Sequence, residues 1–299
     1  MPTGSSVGDS GLLLNEAATT LRELYNDTLD AMVIERLVVG VFFVGVKLSN
    51  GCGGVAYTPP EIIRNAGCRI LKGNTPFIRG MRGSEIMTGH IPGPFAEVIR
   101  LATLNALSVP IFKGDRYHLD TSGDLSDIPS LFHGRRVCMV GAIIPLLKRL
   151  KELETAETMI IDRKKETQDE AEAGYGEFIS PEHTADALAR CETAVFTGAA
   201  IANGTIGQLI DMVPGNVAIA VVGPTAGFIP EPLFRRNVAL VGTVMVTDTD
   251  LALEILAEGG GAYQLFDGCV RKINLLNVPR LRQLGLDGAF YKNERKRNE

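Results

Sequence analysis

Residues 217–223 read VAIAVVG and residues 238–246 read VALVGTVMV. Continuous runs of β-branched and small apolar residues predict strands buried on both faces, as in a parallel sheet covered by helices. Three earlier runs have the same character: Val137–Gly141, Thr158–Asp162 and Ala194–Gly198. Each of these runs is followed by a helical stretch or a helix-start signal. The alternation predicts an α/β fold with a Rossmann-like, doubly wound parallel-sheet domain and right-handed crossovers.

The chain before this region has a different pattern. Leu14–Met32 has apolar residues at helical spacing and predicts one amphipathic helix. Leu37–Leu48 is rich in Val and Phe and predicts a strand, which forms a hairpin with Gly54–Tyr57 across a Ser-Asn-Gly turn. Pro94–Leu107 predicts a second helix, and the glycine-rich stretch Gly73–Gly93 predicts a long loop. We therefore expect an α+β domain with an antiparallel sheet.

A polar stretch containing Gly and Pro, Thr121–Ser130, is the candidate linker between the two domains. We accordingly place the first domain at residues 1–125, the Rossmann-like domain at 126–290 and a charged tail at 291–299. Within the first domain, the glycine-bounded segment Gly80–Gly93 is either a lid over the strand ends of the second domain or a mobile surface loop.

The amino-acid composition limits the classes of function that this chain can have. The 299 residues are 45% apolar and 22% charged, with a net charge of −5, which is typical of a folded protein and gives no basic surface for nucleic acid. No apolar run reaches the ~18–20 residues that span a bilayer, and the first residues lack a secretory signal pattern. Five widely spaced cysteines without a CxxC pair argue against a disulfide framework. We expect a cytoplasmic protein with a small-molecule ligand, no nucleic-acid or membrane partner, and a homodimer on base rates.

In a doubly wound sheet, ligands bind beyond the carboxyl ends of the strands, so the residues that follow each buried run are candidates. Asp162 ends the second run, 21 residues after Gly141. That spacing suits an acidic residue that binds a ribose hydroxyl, although a turn-forming role is the alternative. Gly223, Pro224 and Thr225 follow the fourth run, where they form either a binding wall or a simple turn.

The stretch after the third run has two glycines and two hydroxyl side chains at one strand end. Gly198 and Gly204 would let the backbone approach a ligand closely. Asn203 or Thr205 would cap the next helix, whose N-terminus would attract an anion or carboxylate. Thr197 completes the group, and the alternative is that Asn203-Gly204 is only a cap and a turn. After the fifth run, Thr247–Asp250 favours a helix N-cap, with a metal site as the alternative, and Gly259–Gly261 predicts a helix end.

Catalytic and metal-ligating residues are not identified by any motif. The four histidines are scattered without metal-ligand spacing, and neither a GxSxG nor a Walker-type sequence is present. The fingerprint GxGxxG is also absent after the first run, which disfavours an NAD-dependent oxidoreductase. Cys138 and Cys191 lie in or beside buried runs and are expected to be core residues.

Five short motifs occur in order along the chain. They are Ala102–Ser108 (ATLNALS), Thr197–Thr205 (TGAAIANGT), Gly223–Thr225 (GPT), Leu240–Val244 (LVGTV) and Val270–Lys272 (VRK). Together they resemble the domain-of-unknown-function family named for "putative heavy-metal chelation", over residues 14–275. The resemblance implies a first domain similar to the amino-terminal part of enolase and a second similar to methyltransferase folds, with a site between them.

The resemblance also implies site residues and roles. Asn105, Asn203, Gly204, Thr205, Gly223 and Pro224 carry over as ligand-binding candidates, beside Asp162, Thr197, Gly198 and Thr225 from the strand ends. The implied activities are condensation, hydrolysis or group transfer on a pterin-, siderophore- or chelator-like metabolite, and the implied cofactors are an S-adenosylmethionine-like nucleotide or a heavy metal. The alternative is a non-catalytic protein that binds a heavy metal or a metal–chelate complex.

Overall fold

The computed structural model of the chain describes residues 9–64, 78–89, 91, 93–121, 128–164, 167–169 and 174–286. The strands are β1 (Ile34–Val39), β2 (Phe43–Leu48), β3 (Gly53–Tyr57), β4 (Leu119–Asp120), β5 (Arg136–Val140), β6 (Glu157–Ile161), β7 (Glu177–Phe178), β8 (Thr193–Thr197), β9 (Ala218–Val222), β10 (Val238–Val246) and β11 (Val270–Leu276).

The helices of the described chain connect and cover these strands. They are α1 (Asp9–Tyr25), α2 (Pro60–Arg64), α3 (Gly83–Met87), α4 (Ala96–Phe112), α5 (Ile144–Glu152), α6 (Thr184–Arg190), α7 (Ala199–Ala202), α8 (Ile206–Asp211), α9 (Glu231–Phe234), α10 (Thr249–Ala257), α11 (Ala262–Phe266) and α12 (Val278–Gln283). No helix in the described ranges is both long enough and apolar enough to cross a bilayer.

The five apolar runs form five of the six parallel strands in an eight-stranded sheet with the order β4-β11-β10-β9-β8-β5-β6-β7. The strands from β10 to β7 are parallel, and β11 pairs antiparallel with both β10 and β4. The predicted doubly wound sheet is therefore confirmed. The chain order reverses between β5 and β8, which is where open α/β sheets bind ligands.

The first part of the chain forms a separate antiparallel sheet with the order β1-β2-β3. This small sheet lies between α4 on one face and α10 on the other. Glycines in the strands permit both approaches: a Cβ at Gly45 would lie 2.5 Å from the Leu253 side chain of α10, and a Cβ at Gly54 would overlap the backbone of α4. Because α10 follows β10 of the large sheet, the two sheets are joined through this helix.

One apolar core runs through both parts of the chain. A single cluster of buried side chains contains Val46 of β2 and Leu104 of α4 together with Phe196 of β8 and Ile219 of β9. An ion pair between Glu16 of α1 and Arg236, with Oε1 and Nη2 2.7 Å apart, crosses the same junction.

Two of the predicted elements in the first part are interrupted. The helix predicted over Leu14–Met32 ends at Tyr25, because Asn26 has a left-handed φ of 48° and begins a 3-10 turn. The strand predicted over Leu37–Leu48 is two strands, broken after Val39 by a turn in which Gly40 N–H donates to Phe43 O at 3.0 Å.

The predicted loop Gly73–Gly93 is wrong where α3 forms. Ile86 and Met87 are fully buried, and α3 packs against α4 rather than over the strand ends of the large sheet. The described part of Gly80–Gly93 therefore does not have the position expected of a lid. Residues 73–77, 90 and 92 of this region lie outside the described residues.

The predicted domain limits at residues 125 and 290 stay a prediction. Residues 122–127 of the expected linker and the expected tail 291–299 lie outside the described residues. Leu119 and Asp120 of β4 belong to the predicted first domain but pair with β11 of the large sheet. The enolase-like character of the first domain, the cytoplasmic location and the homodimer also stay predictions.

Candidate functional site

The loops after β5 and β6 meet through Asp162. Its Oδ2 accepts the backbone N–H of Ala142 at 2.8 Å, and its Oδ1 accepts the N–H of Lys164 at 2.9 Å. The carboxylate therefore lies in the turn that leads into α5, the position at which a Rossmann-type fold binds the phosphates of a dinucleotide. A negative charge fixed at this point disfavours a phosphate there, while the ribose-binding role of Asp162 stays a prediction.

The loops after β5 and β8 touch at the point where the chain order reverses. Gly141 has a φ of 81°, and a Cβ built on it would overlap Cγ2 of Thr197. Thr197 and Gly141 are both partly exposed, and the Thr197 hydroxyl accepts the N–H of Ala199 at 3.4 Å. Only glycine fits at position 141, because it supplies both the left-handed backbone and the room for Thr197.

The loop after β9 is fixed by its neighbours on both sides. Gly198 N–H donates to Val222 O at 2.6 Å, and Gly223 N–H donates to Gly242 O at 2.8 Å. The Thr243 hydroxyl donates to Gly223 O at 3.1 Å. Three of the motifs singled out in the sequence, those around Gly198, Gly223 and Gly242, therefore form one hydrogen-bonded unit although they lie far apart in the chain.

Asn105 of α4 joins this unit to the small sheet. Its Nδ2 donates to Val55 O at 2.7 Å and to Thr225 O at 3.1 Å, with Pro224 O at 3.4 Å. The side chain is 4% exposed, and its Oδ1 has no hydrogen-bond partner among the described residues. Asn105 thus positions the Gly223–Thr225 loop, and it retains one buried acceptor that protein groups do not use.

Tyr57, the last residue of β3, lies over the same loop. Its backbone N–H donates to the Thr225 hydroxyl at 3.0 Å, and its ring packs edge-on against Phe43. Burial raises the pKa of the Tyr57 phenol, and the carboxylates of Glu61 and Asp162 raise it further. The phenol is therefore protonated at neutral pH. We call the surface formed by Tyr57, Gly141, Asp162, Thr197 and Gly223 the strand-end site.

The stretch Asn203–Thr205 has a different environment from the one predicted. Asn203 is exposed at the C-terminal end of α7, and Gly204, with a φ of 76°, ends that helix by donating its N–H to Ile201 O. Thr205 precedes α8, but its hydroxyl lies 3.4 Å from Ala200 O, and neither side chain caps α8. The predicted side-chain cap is wrong. The chain turns from α7 into α8 through the left-handed Gly204 and its backbone hydrogen bond to Ile201 O instead. The ligand-binding role of these three residues stays a prediction.

The predicted cap of the helix after the fifth run is confirmed. Asp248 accepts the N–H of Leu251 at 3.1 Å and begins α10. Gly259, with a φ of 83°, follows the end of this helix as predicted.

Sequence reasoning missed Tyr57 and Glu61 as site residues. Strand-end logic was applied only to the large sheet, whereas Tyr57 ends a strand of the small one. The available signal was the sequence YTPPE at residues 57–61, in which a tyrosine and a glutamate flank a rigid Pro-Pro turn after a predicted strand.

The sequence profile of a family described as "Putative heavy-metal chelation" (DUF364) matches residues 124–275, just over half of the chain. A second profile with the same description (DUF4213) matches residues 22–108. The chain belongs to the DUF364 family.

Solved structures of DUF364 proteins have the same fold. A DUF364 protein of unknown function from Pyrococcus horikoshii is 20% identical and superposes with a TM-score of 0.66, covering 88% of this chain and 99% of its own. One from Desulfitobacterium hafniense DCB-2 is 17% identical with a TM-score of 0.62, covering 87% and 99%. Among curated proteins, none matches the sequence. At these identities the likeness shows the fold alone.

The donor atoms of this DUF364 protein do not suit a bare heavy-metal ion at the strand-end site. The described side chains there offer carboxylate, phenol and hydroxyl oxygens, whereas soft heavy metals favour sulfur and imidazole ligands. In the described ranges, no group of three or more His, Cys, Asp or Glu side chains is arranged to hold a metal.

Proposed function

We propose that this DUF364 protein binds a small organic ligand at the strand-end site, and that the ligand is a metal-chelating metabolite or its metal complex. The observation that carries the proposal is the meeting of the loops after β5, β6, β8 and β9 where the chain order reverses, beneath Tyr57 of the small sheet. This is the position at which doubly wound sheets bind ligands. The family description supplies the link to metals.

The charges around Tyr57 favour a neutral or cationic ligand with hydrogen-bond donors. Both ionisable groups that raise the pKa of the phenol, Glu61 and Asp162, are carboxylates. The anionic ligand that the sequence predicted at a helix N-terminus has less support. Helices α7 and α8 are only four and six residues long and provide weak N-terminal dipoles. Amine or hydroxyl groups, as on pterin-like rings or chelators, match this set of acceptors.

A binding role agrees better with the site than a catalytic one, since no described side chain at the site forms a nucleophile–base pair. One observation favours an enzyme as the second candidate. The Tyr57 phenol is a protonated donor whose pKa two carboxylates raise, and no described residue hydrogen-bonds to its hydroxyl. Such a group could protonate a leaving group in a hydrolysis or group-transfer reaction.

The test is a binding titration with matched variants. Thermal shift and calorimetry would be run with S-adenosylmethionine, a reduced pterin, a free hydroxamate chelator and its neutral iron complex. Binding of one compound with a rise in melting temperature is expected, because a ligand at 100 Kd adds about 2.7 kcal/mol to the free energy of unfolding. Asp162→Asn and Tyr57→Phe should each weaken that binding by about tenfold, the loss of about one hydrogen bond to a ligand.

The control is Asp211→Asn, which removes an exposed carboxylate at the end of α8, outside the strand-end site. Equal affinity in all three variants and the wild type would place the ligand elsewhere and contradict the proposal. Mass spectrometry of the bound compound after incubation separates the two candidates: an unchanged compound indicates binding, and a product lost in Tyr57→Phe indicates catalysis.

A further inference from the structure

Strand β1 leaves one edge of the small sheet without a neighbouring strand. In its antiparallel pairing with β2, Gly40 N–H donates to Phe43 O at 3.0 Å. Because hydrogen bonding alternates along such a pair, Leu37 and Val39 direct their N–H and C=O groups away from β2. The described part of the chain places no strand on that side of β1. The backbone groups of both residues are therefore open to another strand.

The open part of this edge is bounded at both ends. Ile34 is already covered, because its N–H donates to Met81 O at 2.9 Å and its carbonyl accepts Gly80 N–H at 2.8 Å. At the other end, the chain turns from β1 into β2 at Gly40. The free stretch is residues 36–40, with the sequence RLVVG. We call this stretch the open edge.

The open edge is apolar at its centre and is followed by exposed apolar side chains. Val39 is 45% exposed, and Val41 and Phe42 in the adjoining turn are 57% and 50% exposed. Proteins normally protect sheet edges from pairing between molecules by short strands, charged side chains or a covering segment. None of these features is present at Leu37–Val39 among the described residues.

The other sheet edges in the described ranges are protected in these ways. Strands β4 and β7 each have two residues, and the part of β11 beyond β4 carries the exposed side chains of Arg271 and Lys272. The outer edge of β3 is bonded by the side chains of Asn105 and Thr225. The contrast singles out β1 as an edge that is suited to pairing.

We propose that two copies of this chain pair through their open edges in a symmetric dimer, with Val38 at the two-fold axis. In this antiparallel register Leu37 faces Val39 of the partner subunit, and the two residues exchange both backbone hydrogen bonds. The symmetry repeats this pair, which gives about four bonds in all. Val38 faces Val38 of the partner subunit in the intervening pair without hydrogen bonds. The two small sheets thereby become one continuous sheet.

This register matches equivalent faces of the two sheets. Val38 packs with the cluster that contains Leu256 of α10, whereas Leu37 packs against the core on the opposite face. Residues directly opposite each other share a face, so every central contact is apolar and no like charges are opposed. Shifting the register would bring Val39 opposite the bulge before Arg36, or Leu37 opposite the turn that follows Gly40. Only the register centred on Val38 uses all the open backbone groups.

Charge at the end of the open edge favours the same arrangement. Arg36 would lie opposite Gly40 of the partner subunit, and a Cβ on Gly40 would be 2.7 Å from Leu256 O near the end of α10. The last turn of α10 has no basic residue, and Glu258 follows it, so this helix end is negative. In the dimer, Arg36 of each protomer approaches the negative helix end of its partner.

The size of the open edge sets the expected strength of the dimer. Five residues and the adjoining turn cover less than the ~800 Å² per partner of a standard interface. We therefore expect a weak dimer, with a dissociation constant on the order of 10 μM. The open edge shares no residue with the strand-end site, so this proposal and the proposed function fail separately.

Disulfide cross-linking of the full-length protein tests the register, in a background of Cys52→Ser and Cys68→Ser. Val38→Cys should form a covalent dimer when diamide oxidises the thiols. Opposed residues without hydrogen bonds have Cα atoms about 4.5 Å apart, and disulfides span about 4.4–6.8 Å. Val39→Cys is the matched control. Position 39 is more exposed, but its two copies are diagonal neighbours about 7–8 Å apart or more and should not cross-link.

Sedimentation velocity over a range of concentrations tests the association itself. Val39→Lys should weaken dimerisation by at least about tenfold, because the charge enters the interface twice. Met212→Lys is its control, since Met212 is 46% exposed and lies at the end of α8. Arg36→Glu should also weaken the dimer about tenfold, whereas Arg271→Glu on β11 should leave it unchanged.

Three results would each overturn the proposal: a wild-type chain that stays monomeric at about 1 mM, cross-linking through Val39→Cys in place of Val38→Cys, or equal association of Val39→Lys and Met212→Lys. A monomeric chain whose Val38→Cys variant is cross-linked to a different protein would assign the open edge to a strand of that protein. Circular dichroism confirms folding of each variant, and the cross-linking pair decides if Val39→Lys is unfolded.

Discussion

Asn105 fixes three segments with one amide group. Its Nδ2 faces only carbonyl oxygens, those of Val55, Pro224 and Thr225, so the two ends of the amide cannot be exchanged. The Oδ1 then remains a buried acceptor, at a cost of about 1–3 kcal/mol when no donor is present. A ligand or water that supplies a donor recovers this energy, and the adjacent loop is part of the strand-end site.

Replacement of Asn105 by aspartate should make stability unusually sensitive to pH. At pH 7 a buried carboxylate facing carbonyl oxygens should cost about 3–5 kcal/mol. Burial and the carbonyls raise the folded-state pKa above the unfolded value of about 3.9, so the lost stability returns as pH falls toward 4 and is lost again as pH rises through the folded pKa. Denaturant unfolding of Asn105→Asp from pH 4 to 8 measures this, with Asn105→Ala as the pH-independent control. Parallel pH profiles for the two variants would show that position 105 is not enclosed by carbonyls.

Gly141 offers a second test at the residue level, because Gly51 is its natural control. The two glycines have nearly equal φ values of 81° and 82°, but only Gly141 has a neighbour, Thr197, where a Cβ would lie. Gly51→Ala should cost about 1 kcal/mol from backbone strain. Gly141→Ala should cost about 1–3 kcal/mol more from overpacking, and Thr197→Ser should restore part of that difference. Equal unfolding midpoints for the two alanine variants would contradict the contact between the β5 and β8 loops.

The strand-end rule located Gly141, Asp162, Thr197 and Gly223 from the sequence, because parallel strands in a doubly wound sheet end at one edge. It could not locate Tyr57, whose position depends on how the small sheet packs over that edge. For Asn203, the sequence predicted a helix cap that the structure does not contain. Its local sequence fits a cap, but Gly204 in the left-handed region already ends α7, so the side chain is left exposed.

At the level of elements, the small sheet depends on two helices from distant parts of the chain. A Cβ on Gly54 would meet the backbone of α4, which cannot yield, whereas a Cβ on Gly45 would meet the side chains of Leu253 and Leu256 in α10. Gly54→Ala should therefore cost more than about 3 kcal/mol, beyond the usual range for overpacking, and Gly45→Ala about 1–3 kcal/mol.

A double-mutant cycle checks this packing. Leu253→Ala alone should cost about 2–5 kcal/mol, since this side chain is 1% exposed. Combined with Gly45→Ala it should cost less than the sum, because the smaller side chain makes room for the new methyl group. The same Leu253→Ala change should leave the cost of Gly54→Ala unaltered. Strict additivity at Gly45 would indicate that α10 does not cover the small sheet.

Element prediction succeeded where one physical signal dominated. The five apolar runs became β5, β6, β8, β9 and β10, because burial on both faces excludes other arrangements. The strand β11 was missed, since Arg271 and Lys272 interrupt its apolar pattern and its pairing with β10 is set by tertiary contacts. Helix α3 was missed for a similar reason: glycines surround it, and only the packing of Ile86 and Met87 stabilises so short a helix.

For the molecule as a whole, the shared core predicts cooperative unfolding. Side chains of both sheets belong to one buried cluster, and α10 of the second part covers the small sheet of the first. Calorimetry should therefore show one transition, with equal calorimetric and van't Hoff enthalpies. A fragment of residues 1–125 should not fold alone, because it lacks α10. Two resolved transitions, or a folded fragment, would show that the first part is an autonomous domain.

The dependence of β1, β2 and β3 on α10 also has a consequence during synthesis. The small sheet ends at Tyr57, and the helix that covers its outer face begins at Thr249. At translation rates of about 5–20 residues per second, the ribosome needs about 10–40 s to add the intervening chain. During that time Phe43 and Val55, which pack against this helix in the folded protein, lack their cover, so apolar side chains in the first sixty residues stay exposed until most of the chain has been made.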